Sequence, residues 1–272
     1  MVRDVSFGQY FPGKSIIHRL DPRAKIIMFT AYLVIIFCTF NYISLAITTL
    51  FTVFYIGASG ISPKFYFKSL KVIIFIVIIT SLLNLFYGSG EPIWQWWVFK
   101  LTVNGINRAL FVTVRIVCLI LASSCLTFTT SPTELTDALE RLMKPLNVIH
   151  FPVHEIAMMM SLALRFVPTL LEETDKIMQA QKARGADMDS GNLITKVKAL
   201  IPILVPLFVS AFRRAYDIAT AMECRCYNGG KGRTKYKVYN FSYRDYIAII
   251  FMIIVLVGVI LINILVICLT TP

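Results

Sequence analysis

Residues 246–269 read YIAIIFMIIVLVGVILINILVICL, 24 positions without one charged side chain. About 20 apolar residues suffice for a helix to cross the hydrocarbon of a bilayer. Water is absent there, so the backbone must bond to itself, and a single segment can do that only as a helix. Composition shows that this run is not alone. Of 272 residues 57% are hydrophobic, with 20 Phe and 12 Tyr, and the mean hydropathy of +0.72 exceeds that of soluble domains. Weaker apolar runs at 26–42, 43–61, 72–89 and 109–129 complete the expectation. The fold class is all-α, a polytopic membrane protein with about five transmembrane helices.

The lysines and arginines set the expected orientation. Arg3, Lys14, Arg19, Arg23 and Lys25 precede the first run, Lys64, Lys68 and Lys71 lie between the second and third, and the first connection has none. Between the third and fourth runs stand Lys100 and Arg108 against Glu91, with Trp94, Trp96 and Trp97 suited to a membrane interface. The N-terminus is therefore expected in the cytoplasm. No small-residue cleavage site follows the basic leader, so the first run is expected to be retained. Residues 131–245 hold 16 basic and 12 acidic residues and read as a cytoplasmic helical region after four crossings. The expected layout is a leader and four transmembrane helices over 1–130, that region over 131–245, and a last transmembrane helix over 246–272. The net charge of +12 follows from this topology, aided by attraction to anionic headgroups of the lipid bilayer. Nucleic acid is not an expected partner, because no basic-aromatic cluster or motif of that kind is present.

Catalytic chemistry finds little support. Cys38, Cys118, Cys125 and Cys268 lie within apolar runs, while Cys224 and Cys226 flank Arg225 without a second thiol pair to complete a zinc site. His150 and His154 are separated by Pro152 and lack a third ligand. Walker A, HExxH and GxSxG motifs are absent, and GGKGRT at 229–234 lacks the spacing of a phosphate loop. Neither an enzyme, a metal site nor a cofactor is expected. A permease carrying its own substrate would need polar groups converging within the spans, where only Arg115, Asn84, Asn263 and some hydroxyls stand. Arg115 is expected to face the bundle or a neighbouring chain.

Residues 131–228 are different. Ser131, Pro132 and Glu134 mark a helix start with a capping box, and Pro145 and Pro152 end that helix. A run over 155–187 follows, interrupted by Pro168, then a break at 187–192 and a second run over 193–226 containing Pro202 and Pro206. Met160, Ala163, Val167, Leu170 and Ile177 precede Arg184 at the same intervals at which Ile201, Leu204, Phe208, Ala211 and Ile218 precede Arg225. The steps of three, four and seven place each set on one helical face. Each helix thus carries an apolar stripe that ends in an arginine. Such stripes lie along a membrane or offer a surface to partners, and Met158, Met159 and Met160 suit an adaptable contact. One arginine at a helix C-terminus is accounted for by the macrodipole, a matter of about 0.3–1 kcal/mol. Two in register, each between small residues, favour docking, since a guanidinium can fork onto a carboxylate or carbonyls in a groove.

The segments GKSIIHRLDPRAKI, SLALRFVPTLLEE, AQKARGAD and AMECRCYNGGKGRT occur here in an order that resembles the T component of energy-coupling factor transporters, bacterial importers of vitamins and trace metals. The resemblance covers nearly the whole chain. It implies a plasma-membrane scaffold, not an enzyme, whose two cytoplasmic coupling helices end in Ala-Arg-Gly motifs docked into two ATP-binding-cassette subunits. Ala183, Arg184 and Gly185 match the first motif. Cys224, Arg225 and Cys226 occupy the second and depart from it at both neutral positions. The resemblance further implies a substrate-binding S component held on the coupling-helix layer, which here would offer Met158, Met159, Met160, Ala163, Val167, Leu204, Phe208 and Ala211. ATP-driven closure of the ATPases would swing the helices as levers and reorient the S component.

Overall fold

The computed structural model describes residues 10–86, 92–96, 99–186, 193–230 and 241–270. The break at 187–192, Trp97 and the basic turn at 231–234 lie outside them. Eight helices and one hairpin are described: α1 (Pro22–Phe37), α2 (Tyr42–Ser59), α3 (Pro63–Phe86), β1 (Pro92–Trp96), β2 (Phe99–Thr102), α4 (Val103–Thr129), α5 (Pro132–Met143), α6 (Val153–Ala183), α7 (Leu193–Cys224) and α8 (Tyr243–Thr270). A 3-10 turn over Lys144–Ile149 joins α5 to α6. The architecture is that of an all-α polytopic membrane protein, with the antiparallel β1–β2 hairpin between α3 and α4 as a small addition.

Among the described residues, six helices are long and apolar enough to cross a membrane by length and composition: α2, α3, α4, α6, α7 within Lys198–Cys224, and α8. The expected first span is shorter than anticipated, since α1 stops at Phe37 and leaves 16 helical residues. Thr39 Oγ1 donates to the Ile36 carbonyl at 2.7 Å, competing with the helical ladder, and Asn41 stands as N-cap of α2. Conversely, α3 starts nine residues ahead of the expected 72 and takes in Lys64, Lys68 and Lys71. Long stems let such lysines lie on apolar surface while the ammonium reaches water. α6 and α7 meet the length and composition criteria although they fall in the region expected to be cytoplasmic; they are the least apolar of the six.

Contacts gather the described residues into two compact units, one drawn from 139–237 and one from 8–138 with 238–272. In the second, Tyr32, Ile35 and Ile36 of α1, Cys118 and Ala122 of α4, and Met252 and Val259 of α8 form the core. A second cluster joins Ile17, Tyr66, Cys125 and Phe128. Polar anchors fix the register. The Asp21 N–H donates to Asp245 Oδ1 at 2.8 Å and the Ser242 N–H to Asp245 Oδ2 at 2.7 Å, tying the starts of α1 and α8 together. Asn263 accepts from Ser44 Oγ at 2.8 Å and from Asn41 Nδ2 at 3.2 Å, and donates to the Cys38 carbonyl.

Two cations close helix ends. The buried Lys25 donates to the Thr129 carbonyl at 2.8 Å and to Thr130 Oγ1 at 3.3 Å, at the C-terminus of α4. Arg115 donates to the Thr39 carbonyl just past the C-terminus of α1, reaches Thr39 Oγ1 at 3.4 Å, and lies 4.9 Å over the Phe111 ring. A cation at the carbonyl end of a helix complements its dipole. Arg115 therefore faces the bundle, one of the two placements expected for it.

Candidate functional site

The two arginines singled out in the sequence occupy the same position in the same cap. α6 ends at Ala183 with Arg184 as C-cap, and Gly185 takes the left-handed conformation at φ +85°. The Gly185 N–H donates to the Lys182 carbonyl and the Ala186 N–H to the Gln181 carbonyl, both at 3.0 Å. Around the end of α7 the Cys226 N–H donates to the Glu223 carbonyl at 2.9 Å and the Tyr227 N–H to the Met222 carbonyl at 3.0 Å. Both patterns are Schellman motifs, which satisfy the orphan carbonyls of the last turn. The left-handed residue of the second is Cys226 at φ +55°, where an L side chain costs about 1–2 kcal/mol relative to glycine. The glycine of the first motif is thus a backbone requirement, and the second motif meets it at a cost.

Both guanidiniums are exposed, and both end helices that pack together. Gln181 donates to the Pro202 carbonyl at 3.4 Å, Glu173 accepts from Arg214 at 3.2 Å and from Ser210 Oγ, and Arg214 lies 5.7 Å over the Phe166 ring. Met158 and Leu162 line a cleft of about 720 Å³ with Met222 and Arg225. These contacts step forward along α6 and backward along α7, so the pair is antiparallel. Arg225 lies beside Met158, and Arg184 lies 26 residues further along α6, so the two arginines stand about 40 Å apart at 1.5 Å per residue.

The remaining stripe residues divide. Val167 and Ala211 are half-buried, whereas Ala163 is exposed, as are Met159 and Met160. On α7, Leu204 and Phe208 are exposed, together with Val205, Val209 and Phe212. Phe208 and Phe212 stack at 6.4 Å between centroids. Met158 alone of the eight contact candidates shares the cleft with an arginine. Sequence reasoning missed the Glu173, Ser210 and Arg214 junction, since nothing in a stripe reveals which partner a polar residue meets. It also missed the left-handed residues, although a glycine directly after a helix-ending arginine is a readable cap signal. His154 Nδ1 lies 3.1 Å from Glu140, and among the described residues no group of His, Cys, Asp and Glu is placed to hold a metal ion.

A family model described as CbiQ, cobalt transport protein, matches residues 13–236 of this chain, which include both caps. The energy-coupling factor transporter transmembrane protein EcfT of Ruminiclostridium cellulolyticum is 51% identical over 245 residues, or 90% of this chain and 92% of that protein. Its counterpart from Clostridium kluyveri is 50% identical over 91% of this chain and 93% of its own length. The Bacillus subtilis counterpart is 46% identical over 93% and 96%. The chain belongs to the EcfT family. As an EcfT-type transmembrane component of an energy-coupling factor transporter, it is a multi-pass plasma-membrane protein. Three polar residues in the membrane helices of this EcfT chain bond within the chain: Asn84 Nδ2 donates to the Thr80 carbonyl at 2.8 Å, while Asn263 and Arg115 hold the α1 end.

Proposed function

We propose that this chain is the non-catalytic coupling subunit of an energy-coupling factor importer. It transmits ATP-driven motion of two ATP-binding-cassette subunits to a separate, substrate-binding S component that takes up a vitamin or a trace metal. Arg184 and Arg225 are the docking ends. The observation that carries this reading is the repetition of one cap, with one exposed arginine at its C-cap position, at opposite ends of an antiparallel helix pair. A helix dipole explains one such arginine; a matched pair about 40 Å apart at 1.5 Å rise per residue fits two similar partners side by side. The distribution of lysine and arginine supports placing α6, α7 and the N-terminus in the cytoplasm. The exposed apolar face of α7 around Leu204 and Phe208, with Met159 and Met160 of α6, is the surface offered to the S component.

Purification of the tagged chain from its native membrane in mild detergent, with mass spectrometry of the copurifying proteins, tests the reading. Two nucleotide-binding subunits and a small, very apolar protein are expected. A chain that purifies alone, under conditions that keep other membrane complexes intact, would return the arginines to helix-end electrostatics.

A further inference from the structure

A cavity of about 390 Å³ opens among α1, α2, α4, α8 and the segment preceding α1. Its interior offers nothing to a polar ligand. Phe29, Phe51 and Met252 line it, and of the three hydroxyl-bearing residues that reach it, Tyr32 and Thr52 are spent on each other at 2.6 Å while Tyr55 is bonded to Cys125. The rim is apolar and exposed: Ile16 at 68%, Phe54 at 63% and Ile247 at 50%. One charged residue stands among the lining residues, Arg244 in the first turn of α8. It is exposed. The neighbouring carboxylate does not claim it, since Asp245 is buried and holds the Asp21 and Ser242 N–H groups. A second exposed cation, Arg19, borders the adjoining hollow with Ser242 and Asp245.

We infer that this cavity holds an acyl chain of one anionic phospholipid, whose phosphate is bound by Arg244. The volume falls within the range of small-molecule sites, and its lining suits hydrocarbon. A cation at the mouth of a crevice between membrane helices is the arrangement that selects a charged headgroup, and a guanidinium can bond a phosphate through two N–H groups at once. The lipid belongs to the leaflet at the level of the α8 N-terminus. Seated there, it bridges α1, α2 and α8, filling a gap that packing alone leaves open.

Native mass spectrometry of the full-length chain, stripped of lipid and then given phosphatidylglycerol or phosphatidylcholine of matched acyl chains, tests this. One phosphatidylglycerol per chain is expected to persist at roughly fivefold lower concentration than phosphatidylcholine, the preference one headgroup contact gives. Arg244→Gln removes the preference and Arg244→Lys keeps part of it; both sit at an exposed position, and unchanged thermal unfolding shows that they fold. Ala248→Trp, which fills the cavity, abolishes retention of both lipids. Equal retention of the two lipids by the wild-type chain overturns the proposal, as does undiminished phosphatidylglycerol binding by Arg244→Gln. Loss of the lipid when the chain is purified with its partner subunits would assign the cavity to a partner's apolar helix, which overturns it as well.

Discussion

Lys25 and Arg115 cap each other's helices: Lys25 of α1 bonds the last carbonyl of α4, and Arg115 of α4 bonds the carbonyl just past the end of α1. The pair locks two antiparallel helices at both ends, using charges that would be costly in the bundle if left alone. Removing either cation strands a carbonyl that has no water to turn to.

Lys25→Ala is therefore expected to destabilise the chain by about 2–3 kcal/mol, combining an empty space with an orphaned acceptor. Arg115→Ala, at a half-buried position, is expected to cost about 1 kcal/mol, the usual scale of a polar contact between membrane helices. Thermal unfolding in detergent reads both. Wild-type stability in Lys25→Ala would show that the α4 terminus is satisfied in another way.

The caps make opposite predictions for two substitutions. Gly185 has open space around its Cα, so Gly185→Ala meets only the conformational penalty of a left-handed residue, about 1 kcal/mol. Cys226→Gly relieves the same penalty and should stabilise the end of α7 by a similar amount, about 1 kcal/mol. Hydrogen exchange of the last turn of each helix distinguishes them, protection falling at Lys182–Ala186 and rising at Glu223–Tyr227.

Charge reversal tests the proposed docking ends. A docking arginine seated in a groove contributes about 2 kcal/mol or more, so Arg184→Glu and Arg225→Glu should each reduce copurification of a nucleotide-binding subunit by more than about tenfold. ATP-driven uptake into proteoliposomes should fall with it. Both effects should appear without loss of thermal stability, because both side chains are exposed. Normal uptake in the two variants would sink the assignment.

At the α6–α7 crossing, Glu173 meets Arg214 with side chains about a quarter to a third exposed. Solvent screens such a pair, and a double-mutant cycle of Glu173→Gln and Arg214→Ala should give a coupling of about 0.5–1 kcal/mol. Its consequence is expected in uptake more than in stability, since the pair fixes how the two arginine-bearing helices cross. A coupling of zero would leave the crossing to apolar contacts.

Much of this was legible in the sequence because the bilayer and the helix impose simple periods. The charge-free run at 246–269 fell within α8, and Ser131, Pro132 and Glu134 marked α5, whose Glu134 N–H donates to Ser131 Oγ at 3.3 Å. Boundaries failed where charge and structure diverge: Lys64, Lys68 and Lys71 hid the first two turns of α3, and Thr39 cut α1 short. The arginines stood out as a repeated spacing, but the reason for the residue after each was invisible. Cysteine at 226 gives no hint of a left-handed conformation that glycine at 185 would have signalled. Pairings across long intervals, Glu173 with Arg214 or Lys25 with Thr129, depend on how helices pack and leave no trace in any single segment.

Cys224 and Cys226 are both exposed, one on either side of Arg225. Thiols so placed border whatever this end of α7 touches, and alkylation requires a reagent to reach them. The unaltered chain therefore carries its own footprinting reagents: the rate at which a maleimide labels these two sulfurs measures, in real time and without an engineered probe, whether that end is free or covered.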